Sequence, residues 1–148
     1  MRILIQRVIR AQVIVDRKTV AETGKGLLLL VGVGKKDTLN DVEYVATKIC
    51  NLRIFSDDQG KMNLNVKQVC GQILSVSQFT LFADTKKGNR PGFDRSAEPE
   101  MAAEYWKRFN ILLRKRGVEV KEGIFGANME VDLINDGPVT IWLDSKNR

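Results

Sequence analysis

Two short stretches of this sequence carry residues that could do chemistry. The first, Ser75-Val76-Ser77-Gln78-Phe79-Thr80-Leu81, sets hydroxyls at 75, 77 and 80 and an amide at 78 along an otherwise apolar run. A β-rich segment takes threonine for packing alone. Several small polar groups near a strand end, followed by a glycine-containing basic loop, are also a way to position a substrate. The second stretch is Asn135-Asp136-Gly137-Pro138, whose four residues all favour turns. There, glycine would let another molecule approach closely, and an X-Pro bond can be held cis so that two carbonyls point in one fixed direction. What the chain lacks narrows the chemistry. It has no histidine, so imidazole cannot serve as general base, proton shuttle or metal ligand, and Ser-His-Asp and Cys-His mechanisms are excluded. Cys50 and Cys70 cannot complete a four-ligand zinc site, and two cysteines are too few to staple a secreted domain, which points to a reduced, cytoplasmic chain. Carboxylate-bound magnesium stays open.

Other motifs fail the requirements of the sites they imitate. Gly24-Lys25-Gly26 and Gly32-Val33-Gly34 each begin like a dinucleotide loop, but the third required glycine is Leu29 in one and Asp37 in the other. Gly34-Lys35 lacks the upstream Gly and the following Ser or Thr of a phosphate loop. Both glycine motifs are read as turns. Asp57-Asp58 lacks the spacing of a calcium loop and sits among ordinary turn formers. Arg114-Lys115-Arg116, in the last turn of a helix, complements the helix dipole without any ligand. The stretch 83–96 differs, because it has no period and crowds Lys86, Lys87, Arg90 and Arg95 beside Phe93. Such a loop suits a phosphate backbone and an unstacked base. On composition alone, solvated loop and RNA contact stand level.

These stretches need elements to hold them. From Ile3 to Val33 short β-rich runs alternate with polar breaks at Asp16-Arg17-Lys18 and Gly24-Lys25-Gly26, the pattern of an antiparallel meander. The uninterrupted Leu27 to Val33 run predicts a strand covered on both faces. Val42, Val45, Ala46, Ile49 and Leu52 recur at three and four, predicting a helix over 41–53 with Asp41 and Glu43 in its first turn. Gln72 to Phe82 reads as one strand. A second helix is predicted over 99–116, with Met101, Tyr105, Phe109 and Leu112 on one stripe, Pro99 at its start and Gly117 past its end. Val118 to Leu143 returns to β patterning around the turn at 135–138.

At 148 residues, with 43% apolar and 28% charged, the chain fits one globular domain spanning 1–148. Its longest apolar run, Leu27 to Val31, is far short of the about 20 residues a spanning helix needs. Twenty-four Lys plus Arg against eighteen Asp plus Glu leave a net charge of +6, which suggests an anionic partner such as a nucleic acid.

The opening Met1 to Val8 with Gln6-Arg7-Val8, the run Gly26 to Val33, Ser77-Gln78-Phe79-Thr80-Leu81 and Asn135-Asp136-Gly137-Pro138-Val139-Thr140 together resemble the D-aminoacyl-tRNA deacylases, also called D-tyrosyl-tRNA deacylases. The likeness covers essentially the whole chain, and the last two blocks are that family's signatures. The resemblance implies a single α/β domain of α+β type, in which two helices pack on a strongly bent, mainly antiparallel or barrel-like sheet. It implies a homodimer that hydrolyses the ester between a D-amino acid and the terminal ribose of tRNA, with glycyl-tRNA mischarged on tRNA(Ala) as a further expected substrate. It implies no metal, no cofactor and no membrane. On this likeness Ser77, Gln78, Phe79 and Thr80 form the catalytic block, and Gly137 with Pro138 reaches into the partner subunit's pocket to reject L-aminoacyl esters. Arg7 would brace that dipeptide, and Ala102 and Met129 would line the aminoacyl pocket.

The missing histidine agrees with such a reaction. An aminoacyl ester is already activated, so aligned backbone N–H donors and the vicinal hydroxyl of the tRNA could support attack by water. Thr80 as nucleophile would have no evident base, so a positioning role is preferred for it. The competing reading is a basic RNA-binding module without chemistry, in which Gly137-Pro138 is merely a turn.

Overall fold

Strand β1 (Arg2–Val15) alternates Ile3, Ile5 and then Ala11, Val13 into the interior, and its length lets it organise most of the sheet. The chain turns back at Asp16 and Arg17, both at positive φ, and returns as β2 (Lys18–Thr23) and β3 (Gly26–Gly32). β2 pairs with residues 11–15 of β1 and β3 with residues 2–8, both antiparallel. The register is unchanged across the break, with Ala11 opposite Thr23 and Val8 opposite Gly26. Gly24-Lys25-Gly26 therefore does not reverse the chain. It interrupts one long return strand, and the expected meander is in fact a long bent hairpin. Gly26 is needed there because a Cβ would lie 1.8 Å from the Gln72 carbonyl oxygen, where the start of a later strand crosses closely.

The computed structural model describes residues 1–86 and 88–148. In it β6 (Gln72–Ser77) runs parallel to β3 after the helix α1 (Leu39–Asn51), and β7 (Glu119–Glu122) runs parallel to β6 after the helix α2 (Pro99–Lys115). Between α1 and β6 lie the two short strands of a separate hairpin, β4 (Phe55–Ser56) and β5 (Met62–Leu64). The last strand, β8 (Glu130–Asp144), is antiparallel to β1 along its other edge. The result is a mixed, nearly closed barrel-like sheet carrying two helices, antiparallel around β1 and parallel from β3 to β7.

Two apolar layers follow from the period of two. Leu27, Leu29, Val31 and Ile73 face the helices, where Val42, Val45, Ile49, Phe109 and Leu113 meet them. Leu28, Leu74 and Val76 face the barrel interior with Val8 and Val13. Leu27 to Leu29 are each about 1% exposed or less, so the expectation of a strand covered on both faces holds. Full burial of a side chain such as Phe109 or Leu113 stabilises the fold by about 1.5–3 kcal/mol. Helix α1 starts and ends two residues earlier than expected, since Thr38 caps it and its backbone N–H donates to Asp41 Oδ2 at 2.8 Å. Burial alone would raise the Asp41 carboxyl, but hydrogen bonds from Lys146, Ser145 and Thr38 outweigh it and hold that group well below the usual carboxylate range. Helix α2 ends one residue early, with Gly117 beyond it at φ +84°. Its buried stripe is Trp106, Phe109 and Leu113; Met101, Tyr105 and Leu112 are only half-buried.

Candidate active cleft

Strand β6 stops at Ser77, five residues short of the expected strand. Gln78 turns the chain into a single 3-10 turn, Phe79–Phe82, so that Phe82 packs inward while Phe79 is 56% exposed. Apolar residues at 79, 81 and 82 imitate a strand, but spacing by three is what a 3-10 turn shows. The polar pair Ser77-Gln78 is the one local signal of the break. Ser77 lies at the carboxyl end of a parallel strand, opposite Val31 of β3, the edge at which open parallel sheets place ligands.

A cleft of about 560 Å³ opens there. Ser77, Gln78 and Phe79 form one wall, and Ala102, Trp106 and Met129 are among the residues facing them. Five of the positions named from the sequence, Ser77, Gln78, Phe79, Ala102 and Met129, thus come together from the end of β6 and the turn after it, from α2 and from the residue before β8. Thr80 is not part of the lining. It is exposed beside the cleft, and Gln78 Nε2 donates a hydrogen bond to its Oγ1. The backbone N–H groups of Phe79 and Thr80 have no acceptor among the described residues. The turn itself is fastened from outside, where Ser96 Oγ donates to the Phe79 carbonyl at 3.2 Å and the Phe79 and Phe93 rings meet edge to face at 4.9 Å.

Three features of the cleft are not legible in the sequence. Ser75, whose hydroxyl sits in the polar block, is fully buried and accepts a hydrogen bond from Trp106 Nε1 at 2.8 Å, which fixes the indole as a cleft wall. Phe125 also lines the cleft, its ring tilted 38° to that of Trp106 with the centroids 6.0 Å apart. Gly123 leaves room for Met129, since a Cβ there would lie 2.7 Å from the Met129 sulfur. Trp106 is visible in the sequence only as an apolar helix position. Phe125 sits in a loop with no periodic signal.

Asn135 to Pro138 is not a hairpin turn. It belongs to β8, which bulges: Gln6 pairs with Thr140 and Val8 with Asn135, so that the single residue Arg7 stands opposite residues 136–139. Gly137 and Pro138, joined by a cis peptide bond, are exposed and lie outside the lining of this chain's own cleft. Arg7 is buried, donates from Nη1 to the Ile54 carbonyl at 2.6 Å and holds Nε 2.9 Å from Asp136 Oδ2 as an ion pair, although that N–H is not aligned for a hydrogen bond. Gly137 has φ +114°, and a Cβ on it would come within 3.0 Å of Val139 Cγ2 and Arg7 Nη2. The glycine is therefore required within its own chain, by its positive φ, by nearby Val139 and by Arg7 on the neighbouring strand.

In the basic loop Lys86 and Arg90 are exposed, and Arg95 lies 3.6 Å from Asp84 in an ion pair. Lys87 lies outside the described residues. The loop is closed by the reciprocal Asp84–Gly92 backbone hydrogen bonds of 2.8 and 2.9 Å. No described helix is long and apolar enough to cross a membrane.

A family model described as D-Tyr-tRNA(Tyr) deacylase matches residues 4–144. The solved structure of a c-Myc DNA Unwinding Element Binding Protein is 41% identical, with 97% of this chain and 98% of that chain covered and a TM-score of 0.92. A probable eukaryotic D-amino acid tRNA deacylase shares the fold at 18% identity, with 96% and 97% covered and a TM-score of 0.82.

Proposed function

The chain belongs to the D-Tyr-tRNA(Tyr) deacylase family and is a hydrolase of the aminoacyl-tRNA ester, and from that premise we propose that the D-aminoacyl group enters the cleft beneath Ser77–Phe79. The observation that carries this reading is the convergence of Ser77, Gln78, Phe79, Ala102 and Met129 on one cleft at the carboxyl end of β6. The N–H groups of Phe79 and Thr80, which have no acceptor among the described residues, are the donors that would receive the developing oxyanion. Water attacks the ester carbon, and the bond to the ribose oxygen breaks, giving free tRNA and the amino acid. With no histidine in the chain, the vicinal ribose hydroxyl is the nearest proton acceptor and donor the substrate itself brings. Thr80, whose hydroxyl already accepts from Gln78, positions groups and does not attack.

Chirality is set by Gly137 and Pro138 of a second copy. A homodimer is supported by their exposure outside this chain's cleft, and by Ile134 and Trp142, 43% and 49% exposed on β8, which leave apolar surface for a partner. An L-substrate held by its amine and ester would aim its side chain where a D-substrate carries only hydrogen. A carbonyl-bearing element at that spot excludes any carbon there and tolerates hydrogen, so glycyl-tRNA, with hydrogen on both sides, is accepted. A pocket that selected D-side chains by attraction would turn glycyl-tRNA over poorly, because the side chain's binding energy would be missing. Single-turnover rates on D-tyrosyl-, L-tyrosyl- and glycyl-tRNA decide this. Glycyl-tRNA behaving like the L-ester would end the exclusion model. The tRNA body rests on the loop bearing Lys86, Lys87, Arg90 and Arg95, and such a substrate places the enzyme in the cytoplasm.

A further inference from the structure

The bulge carrying Gly137 and Pro138 is closed by one side chain that belongs to no catalytic or rejection role described above. Asn135 Nδ2 donates to the Arg7 carbonyl at 2.9 Å and to the Val139 carbonyl at 3.0 Å. Its Oδ1 accepts from Gln6 Nε2 and from Thr140 Oγ1, each at 3.2 Å. A side-chain amide has two donors and one two-lone-pair acceptor, so every hydrogen-bonding position of Asn135 is filled. The orientation of the amide is fixed as well, since the reverse would set its oxygen against two carbonyl oxygens.

The partners of this amide lie on both ends of the excursion and on the strand opposite it. Asn135 itself is the last ladder residue before the bulge, opposite Val8, and Thr140 is the first after it, opposite Gln6. Val139 ends the excursion and Arg7 is the single residue facing it. Four unpaired residues in a strand would otherwise be free to shift along β1, as bulges disrupt the ladder locally. The Asn135 amide replaces the missing ladder bonds with side-chain ones. Aspartate would keep both acceptors and lose both donors. Serine would be too short to span Arg7 and Val139 together.

We infer that Asn135 is a positioning residue for chiral discrimination: its four-bonded amide sets where Gly137 and Pro138 stand, and through them which enantiomer is admitted. The inference rests on the proposed rejection role of those two residues. The test is the ratio of single-turnover rates on D-tyrosyl- and L-tyrosyl-tRNA, measured on the full chain for Asn135→Asp, Thr140→Val and Gly137→Ala. A ratio does not depend on the fraction of enzyme folded, so a merely structural loss lowers both rates together and leaves it unchanged.

The expected result is a fall in the D-over-L ratio of at least tenfold for Asn135→Asp and about two- to threefold for Thr140→Val, which removes one bond of the four. Thr140 is exposed, so its variant keeps the experiment decisive where Asn135→Asp fails to fold. Wild-type ratios in the Asn135 and Thr140 variants, with a lowered ratio in Gly137→Ala, overturn the positioning inference alone. A wild-type ratio in Gly137→Ala as well overturns the rejection reading beneath it.

Discussion

Two irregular segments of this molecule carry the residues that the sequence singles out for recognition, and they differ in length and in how they are fastened. Residues 136–139 leave the sheet for four residues only, and Asn135, Arg7 and Thr140 fasten them with side-chain bonds at both ends. The segment 83–96 is longer, and it is fastened by the Asp84–Gly92 bridge, the Arg95–Asp84 ion pair and the Phe79–Phe93 ring pair. A four-residue excursion with every end pinned can measure the position of a single substituent. A longer loop presenting exposed cations can attract a polyanion through charge alone, without reading its identity. On the proposed reading, the difference matches two tasks: discrimination at one carbon for residues 136–139, and retention of a large substrate for the basic loop.

The sharpest way to break the contrast is Gly137→Ala. The new Cβ meets Val139 Cγ2 at 2.9 Å and Arg7 Nη2 at 3.0 Å at a φ that L-residues avoid, so the excursion must move. A displacement of about 1 Å at such an element costs on the order of a hundredfold, and the D-over-L ratio is expected to fall by about that much. An unchanged ratio in a folded variant would show that the rigid segment discriminates nothing.

Neutralising Lys86 and Arg90 together should weaken tRNA binding by roughly tenfold at moderate salt, equally for D-, L- and glycyl-tRNA. The log-log salt slope should become shallower by about 1 for each phosphate that the variant no longer neutralises. Filter binding across a salt series reads both quantities. An effect that depended on the aminoacyl group would transfer part of the discrimination to this loop and blur the contrast.

A smaller effect is expected at Thr80. Its hydroxyl receives one neutral hydrogen bond from Gln78, worth about 0.5–1.5 kcal/mol, so Thr80→Ala should lose no more than about tenfold in rate. A loss of a thousandfold, or a trapped aminoacyl ester on Thr80, would make it a nucleophile. The smallest expected effect is none. Exhaustive chelation should leave deacylation intact, because a chain without histidine and with only two cysteines lacks the usual ligands for a tightly held transition metal. Activity lost on chelation and restored by one defined metal would contradict this.

The sheet shows where pattern reading reaches its limit. The order β3, α1, β6, α2, β7 is an alternation of strands and helices, which by itself implies parallel crossovers. Both helices are legible from their apolar spacing, yet a meander-like start to the chain pulls the expectation towards an antiparallel sheet, and the parallel pairings of β6 with β3 and β7 emerge only in the fold. Gly24-Lys25-Gly26 reads as a turn because glycine and lysine suit turns. It is an interruption in a single return strand, since the ladder to β1 resumes on the same register after it. The 3-10 turn at Phe79 looks like strand because alternation over four residues does not distinguish the two.

The sequence alone determined the absence of imidazole chemistry, the two helices, the buried β3 run and the two signature blocks, because composition and local period act over a few residues. Tertiary structure decided the rest. That Ser77 and Met129 share a cleft depends on long-range strand pairing across about fifty residues. That Arg7 stands opposite Gly137, adding to the constraint from Val139 and the positive φ, depends on β8 lying along β1. That Asn135 fills four bonds depends on the same pairing. Local propensity specifies an element, but which side chains meet is fixed by the register of strands distant in sequence, and no local pattern encodes that register.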